Sequence, residues 1–249
     1  MGRRVACLLA HHESLVLAAA LERPGVILEP TALGLAAGHD VLITTDAATA
    51  LANARVVIDF AAPAAVVELA GRCAASGAGY LVAATDLTSQ DEAALVHAAK
   101  RTAVLRAANL SVGVNVLLEL VEVAARRLGP GFDIEIGEIH HRHKRDAPSG
   151  TALALGEAAV RGHGALRSVL GRSGQGAPRG SDELGFAALR GGEVAGEHTV
   201  YFFGEAERLE LVHRASNPDI FAYGALWAAS FLVNRAPGLY GMRDVLAAR

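Results

Sequence analysis

Three imidazoles and three permanent cations stand together in His140-His141-Arg142-His143-Lys144-Arg145, at the end of an apolar run. The chain then passes through Asp146-Ala147-Pro148-Ser149-Gly150-Thr151-Ala152 into a segment with the composition of a helix. A helix amino terminus offers unpaired N–H groups and about half a positive charge, so carboxylates and phosphates bind there readily. Cations beside a histidine lower its pKa toward the range of a working general acid. The cluster therefore suits an anionic substrate with a proton donor within reach. Two other readings stand beside it: a solvated charged loop, and a metal site built on the three histidines. Arg142, Lys144 and Arg145 would repel a cation, and no carboxylate or thiolate set accompanies them, so no metal is expected. Residue types alone leave the choice between loop and anion site open.

The elements that must position this cluster change character along the chain. The first 110 residues alternate short β-type runs with Ala/Leu-rich segments, as in β-α units around a parallel sheet. The strands expected are Arg4–Leu9, Gly25–Leu28, Asp40–Ile43, Arg55–Phe60, Tyr80–Ala83 and Ala103–Arg106. The helices expected are Ser14–Glu22, Asp46–Asn53, Pro63–Ser76, Ser89–Arg101 and Val112–Leu128, the fourth opening on a cap with acidic first-turn residues. A strand from Phe132 to His140 follows, then a short helix from about Gly150 to Arg161. Gly162 to Asp182, rich in Gly, Arg, Ser and Pro, reads as a long mobile loop. Three further strands, Leu184–Leu189, Gly196–Phe203 and Glu207–His213, are close enough in sequence to pair antiparallel. A helix over about Pro218–Asn234 comes last. The fold class is α/β: a Rossmann-type doubly wound parallel-sheet domain, 1–110 with 217–249, and a second α+β domain, 111–216, on a mostly antiparallel sheet.

A net charge of −3 gives no overall attraction to nucleic acid or anionic membrane, so any basic site is local. MGRRVACLLA begins like a signal peptide, but His11-His12-Glu13-Ser14 cuts the apolar stretch short and no small-residue cleavage site follows. No run approaches the roughly 18 apolar residues of a membrane span. Cys7 and Cys73 lie far apart in apolar contexts and read as two small buried thiols. A cytoplasmic protein is expected.

From Glu138 to Ala152 the chain resembles the signature of the dihydrodipicolinate reductase family, E-x-H-H-x-x-K-x-D-x-P-S-G-T-A, at every specified position. Val57-Ile58-Asp59-Phe60 with Pro63, Ala107 to Asn115, Gly196-Glu197-His198-Thr199 and Met242 to Leu246 lie at family-like spacing. The resemblance implies an enzyme of the diaminopimelate and lysine pathway that reduces a cyclic imine dicarboxylate with NAD(P)H, usually as a homotetramer. It implies His140 as proton donor and Lys144 as its catalytic companion. His141 would help hold the substrate, and Gly150 and Thr151 would grip one carboxylate. On the cofactor side it implies Thr85, Ala107, Asn109 and Leu110.

The family's first strand runs into a turn of the form G-x-x-G-R-M-G, where only glycine lets pyrophosphate approach the backbone. With Arg4–Leu9 read as that strand, the turn falls on Leu8 to Leu15, without a glycine and with Glu13 in place of the arginine. The same register puts Leu33 at the acidic position after the second strand. Ala83-Ala84-Thr85-Asp86 stands for the family's G-T-T-G turn, and Pro218 for an arginine. Weakened cofactor binding is the expectation, which leaves room for a dehydration on the same ring without redox chemistry, or for a silent dicarboxylate-binding paralogue.

Overall fold

The computed structural model describes residues 1–23, 25, 26, 29–35 and 41–248. In chain order come α1 (Gly2–Leu9), β1 (Ala19–Leu21), β2 (Leu42–Thr44), α2 (Ala47–Leu51), β3 (Val56–Asp59), α3 (Val66–Ser76) and β4 (Gly79–Val82). Then follow α4 (Ser89–Ala98), β5 (Ala103–Arg106), α5 (Val112–Leu128), β6 (Asp133–His140), α6 (Gly150–His163) and β7 (Arg167–Leu170). The last elements are β8 (Glu183–Arg190), β9 (Glu197–Phe203), β10 (Arg208–Arg214), α7 (Asp219–Leu232), β11 (Gly238–Tyr240) and α8 (Met242–Ala247). They fall into two compact units, Met1–Val112 with Asp219–Arg249, and Gly113–Pro218.

In the first unit an all-parallel sheet has the order β11-β5-β4-β3, and β1 and β2 form a separate parallel pair. Every residue of β4 is buried, as expected of a parallel strand covered on both faces. Tyr80 and Val82 pack against α2, α3 and α4, while Leu81 packs against α1, α7 and α8. Thr88 and Asp91 close a capping box that starts α4, as the acidic first turn signalled. The buried Tyr80 hydroxyl donates to Asp59 (2.6 Å), and Asp59 accepts the Ala61 amide (2.7 Å), which fixes the turn leaving β3.

The start of the chain differs from expectation. Arg4–Leu9 lies in a helix, with Val5 and Ala6 buried and Arg3, Arg4 and Cys7 on the solvent side. A short apolar run does not distinguish strand from helix by periodicity, and packing against α7 decides it. Ser14–Glu22 is not a helix. Its end is β1, in register with β2 from Ala19 opposite Leu42 to Leu21 opposite Thr44. Within the expected strand Gly25–Leu28 the described residues are Gly25, in a turn, and Val26; Ile27, Leu28 and Asp40 lie outside the described residues. Cys73 is buried and its thiol pushed up to about 12 by burial and the nearby Asp59, but Cys7 is exposed rather than a core hydrophobe.

The second unit is a five-stranded sheet, β10-β9-β6-β8-β7, with α5 and α6 on one face. The strands from 184 to 213 do not simply pair with their sequence neighbours. β8 joins β6 in parallel, and β6 pairs antiparallel with β9, which pairs with β10. The segment Gly162–Asp182 is not one long loop. It contains β7, and Arg172 and Arg179 strap its remainder to Glu135, Asp133 and Glu183. A charge-rich loop is indistinguishable from a free one in sequence until its partners on distant strands are known.

Gly224 lets α7 pass against the backbone of Leu110, since a methyl group added there would overlap the Leu110 carbonyl oxygen. Overpacking of this kind typically costs about 1–3 kcal/mol. Gly224→Ala is expected to lose at least that much in urea unfolding, and unchanged stability would mean that α7 can retreat from Leu110.

Candidate functional site

β6 ends at His140 and α6 begins at Gly150, so the intervening turn brings His140, His141, Lys144, Gly150 and Thr151 to one end of the second unit. On a strand, side chains two apart share a face. Glu138 and His140 therefore both point to the helix-covered side of the sheet, where Glu138 is 1% and His140 8% exposed. Arg190 lies opposite His140 on β8, and His198 opposite Glu138 on β9. The four side chains converge although they come from three strands.

The Glu138 carboxylate is the hub. Its Oε2 lies 2.6 Å from His140 Nδ1 and 2.7 Å from one Arg190 Nη. Its Oε1 accepts the Ser149 amide (3.1 Å) and the second Arg190 Nη (2.8 Å). Burial alone would raise its pKa, but the Arg190 fork and His140 reverse this, and Glu138 is held below the usual carboxylate range. Arg190 also donates to the Asp146 carbonyl (2.6 Å), tying the turn to β8. Ser149 caps α6 by accepting the Ala152 amide (3.1 Å), and its hydroxyl meets His198 Nε2 at 3.0 Å.

His140 Nδ1 is thus occupied, and Nε2 has no hydrogen-bond partner among the described residues. Gly196, at φ +149, stands beside it; a Cβ there would come within 3.0 Å of Nε2. Burial pushes the His140 pKa down, the Glu138 carboxylate pulls it up, and Lys144 and Arg190 push it down again, for a net lowering. His198, whose ring meets that of His140 edge-on at 5.1 Å, is pushed down to about 4 by burial and by His140. Lys144 is 2.9 Å from Asp146, whose pKa it lowers. The result is an ammonium, a helix amino end with Gly150 exposed, and one open imidazole nitrogen. Such a group can hold a carboxylate and pass a proton beside it. Among the described residues there is no metal-binding group of three or more ligands.

Glu138, Ser149, Arg190 and His198 were not singled out as functional from sequence. Glu138 carried a usable signal, its i, i+2 spacing to His140 on a strand, and Ser149 another as a residue before a helix. Arg190 carried none, because its partner is fifty-two positions away.

In the first unit an open cleft of about 190 Å³ is lined by Met1, Phe60, Ala83, Ala107, Asn109 and Leu110, among others. It lies at the carboxyl ends of β3, β4 and β5, where open α/β sheets bind ligands. Ala107, Asn109 and Leu110 are thereby brought together, but Thr85 is exposed and does not line the cleft. Met1 caps the amino end of α1, so the helix end that favours phosphate faces this cleft. Leu8 to Leu15 lies at the other end of α1, about 12 Å along the axis, where carbonyl groups rather than N–H groups are unpaired. That stretch is therefore not the pyrophosphate turn, and Glu13 is not in the arginine's place. Glu22 directly follows β1, and Leu33 is buried in a 3-10 turn.

Comparison with known proteins covers both units. The family model described as dihydrodipicolinate reductase, N-terminus, matches residues 1–110, and the model described as dihydrodipicolinate reductase, C-terminus, matches 113–246. A 4-hydroxy-tetrahydrodipicolinate reductase from Thiobacillus denitrificans is 45% identical, over 99% of this chain and 94% of its own. One from an Anaeromyxobacter species is 46% identical, over 100% of this chain and 94% of its own. Among solved structures, a dipicolinate-bound dihydrodipicolinate reductase from Paenisporosarcina sp. TG-14 has a TM-score of 0.80 at 20% identity, covering 98% of this chain and 94% of that one.

The buried His198 makes stability depend on pH. Its pKa is about 4 folded against 6.5 in an unfolded chain, so its neutral form stabilises fully above pH 6.5, and that stability is lost as pH falls toward 4. The difference corresponds to about 3 kcal/mol at 1.36 kcal/mol per unit. Between pH 7.5 and 4 the wild type is expected to lose about that much more unfolding free energy than His198→Gln, and equal losses would remove His198 from this role.

Proposed function

The chain belongs to the dihydrodipicolinate reductase family, and from that premise we propose that it reduces a cyclic imine dicarboxylate of the 4-hydroxy-tetrahydrodipicolinate type, with His140 as proton donor. The observation that carries the reading is the held pair Glu138–His140 beside Lys144 and the amino end of α6. Lys144 and the first-turn groups of Gly150 and Thr151 take the substrate carboxylates by charge-assisted hydrogen bonds, and His141 borders the same turn. His140 presents Nε2 to the ring and gives its proton as the imine is reduced. A bound dianion raises the His140 pKa, so the donor charges when the substrate is there to use it.

Proteins of this family use NAD(P)H, which when bound supplies the hydride. The first unit's residues fit such a group: the cleft at the strand ends, Asn109 and Leu110 on its wall, the amino end of α1 toward phosphate, and Glu22 after β1 for a ribose hydroxyl. Arg23 follows Glu22 and suits a 2′-phosphate. The dehydration and silent-paralogue readings rested on the glycine turn together with Leu33, Ala83-Ala84-Thr85-Asp86 and Pro218; the first of these falls away with Leu8 to Leu15 at the carboxyl end of α1, and the family membership over both units favours the reductase.

The face of the second unit's sheet opposite α5 and α6 carries Ile139, Leu189, Tyr201, Phe203 and Val212, with Leu189 60% exposed. Such a face needs cover, and we assign it to further copies of the chain, a tetramer by family resemblance. Among the described residues no helix is long and apolar enough to cross a membrane, and we place the reaction in the cytoplasm, where the exposed Cys7 stays reduced.

Calorimetry with pyridine-2,6-dicarboxylate tests the substrate side. Lys144→Ala should weaken binding at least about tenfold, since a charged hydrogen bond is worth roughly 1.5–3 kcal/mol. His140→Ala should keep most of the affinity and lose turnover of the imine with NADH or NADPH. Unaltered affinity in the first variant, or wild-type turnover in the second, would sink the assignment. Light scattering should show an oligomer at micromolar concentration, and a stable monomer would count against the covered face.

A further inference from the structure

His140 does not meet solvent or substrate as an isolated imidazole. Among the described residues, the polar groups around it are Glu138 on its own strand, Arg190 from β8, His198 from β9 and Lys144 from the following turn. Glu138 is the single anion among them, and all four of its contacts are with donors that leave it no freedom to turn. Arg190 is partly exposed and competes with His140 for the same oxygen, Oε2. His198 stands edge-on to the ring, and Gly196 clears the far side.

We propose that Glu138 and Arg190 act as an opposed positioning pair for His140: the carboxylate fixes the proton on Nδ1 and favours the charged ring, while the guanidinium locks the carboxylate and limits that favour. Nε2 then becomes the one nitrogen that exchanges a proton with the substrate. This rests on the reading of His140 as proton donor, but the two fail separately. Turnover by His140→Ala tests the donor, whereas the pair is tested without turnover. Neither Glu138 nor Arg190 needs to touch the substrate.

Nitrogen-15 NMR of the histidine rings in the full chain, titrated between pH 4 and 9, gives both the tautomer and the midpoint for His140. In the wild type, above the midpoint, Nδ1 should carry the proton and Nε2 should be bare. Glu138→Gln removes the charge that favours imidazolium, so the midpoint should fall by about one unit or more, the size of shift a close opposite charge produces. Arg190→Gln removes a repelling charge and frees the carboxylate, so the midpoint should rise. Pyridine-2,6-dicarboxylate affinity, followed over the same range, should lose its His140-dependent step at the shifted pH in each variant. A merely structural role would move neither midpoint, or both in the same direction. Either result, or a wild-type ring protonated on Nε2 alone, overturns the proposal. Should Glu138→Gln not fold, Arg190→Gln decides alone: an upward shift supports the pair and no shift overturns it.

Discussion

A carboxylate with 1% exposure is costly unless every lone pair is met, and Glu138 sets the terms for the whole second unit. Its partners come from two strands, β6 itself and β8, and from a helix end. β8 therefore lies beside β6 to bring Arg190, while β9 on the other side brings His198 to the Ser149 hydroxyl. α6 has to start where the Ser149 amide can reach Oε1. Once these conditions hold, the turn from His141 to Pro148 has little choice of path, because Arg190 also binds the Asp146 carbonyl. The basic cluster is the visible part of an arrangement organised around one buried negative charge.

The first unit follows a different constraint. A parallel sheet buries both faces, so its polar business is confined to strand ends and helix ends. Asp59 illustrates this: it closes β3, is paired with Tyr80, and shapes the turn that places Phe60 on the cleft. Gly224 serves the same wall from the other side by admitting α7 close to Leu110. The polarity of α1 then separates an amino end at the cleft from the carboxyl end that leads to Glu13.

The α/β class, the strands of the central sheet and the contiguous part of the site were legible because each is a local pattern. His140, Lys144, Gly150 and Thr151 lie within twelve residues, and their types state their chemistry. Arg4–Leu9 differs from the strand expected of it because Val5-Ala6-Cys7-Leu8-Leu9 satisfies strand and helix alike, and the helix expected over Ser14–Glu22 followed from that first element. Arg190, Arg172 and Arg179 were opaque for a different reason. A surface arginine and a structural one are the same letter, and only the distant carboxylates Glu138, Glu135 and Glu183 tell them apart.

β6 is hydrogen-bonded along its length on both sides, to β8 from Ile134 to His140 and to β9 from Asp133 to Ile139. Freeing it means tearing two ladders at once, which puts its amides among the last of the unit to exchange with deuterated solvent. The residues proposed to grip a ligand stand instead on a turn and on a helix's first residues, outside both ladders. The histidine is thus mounted on a strand held from both sides, so movement of the turn facing it need not disturb the ring.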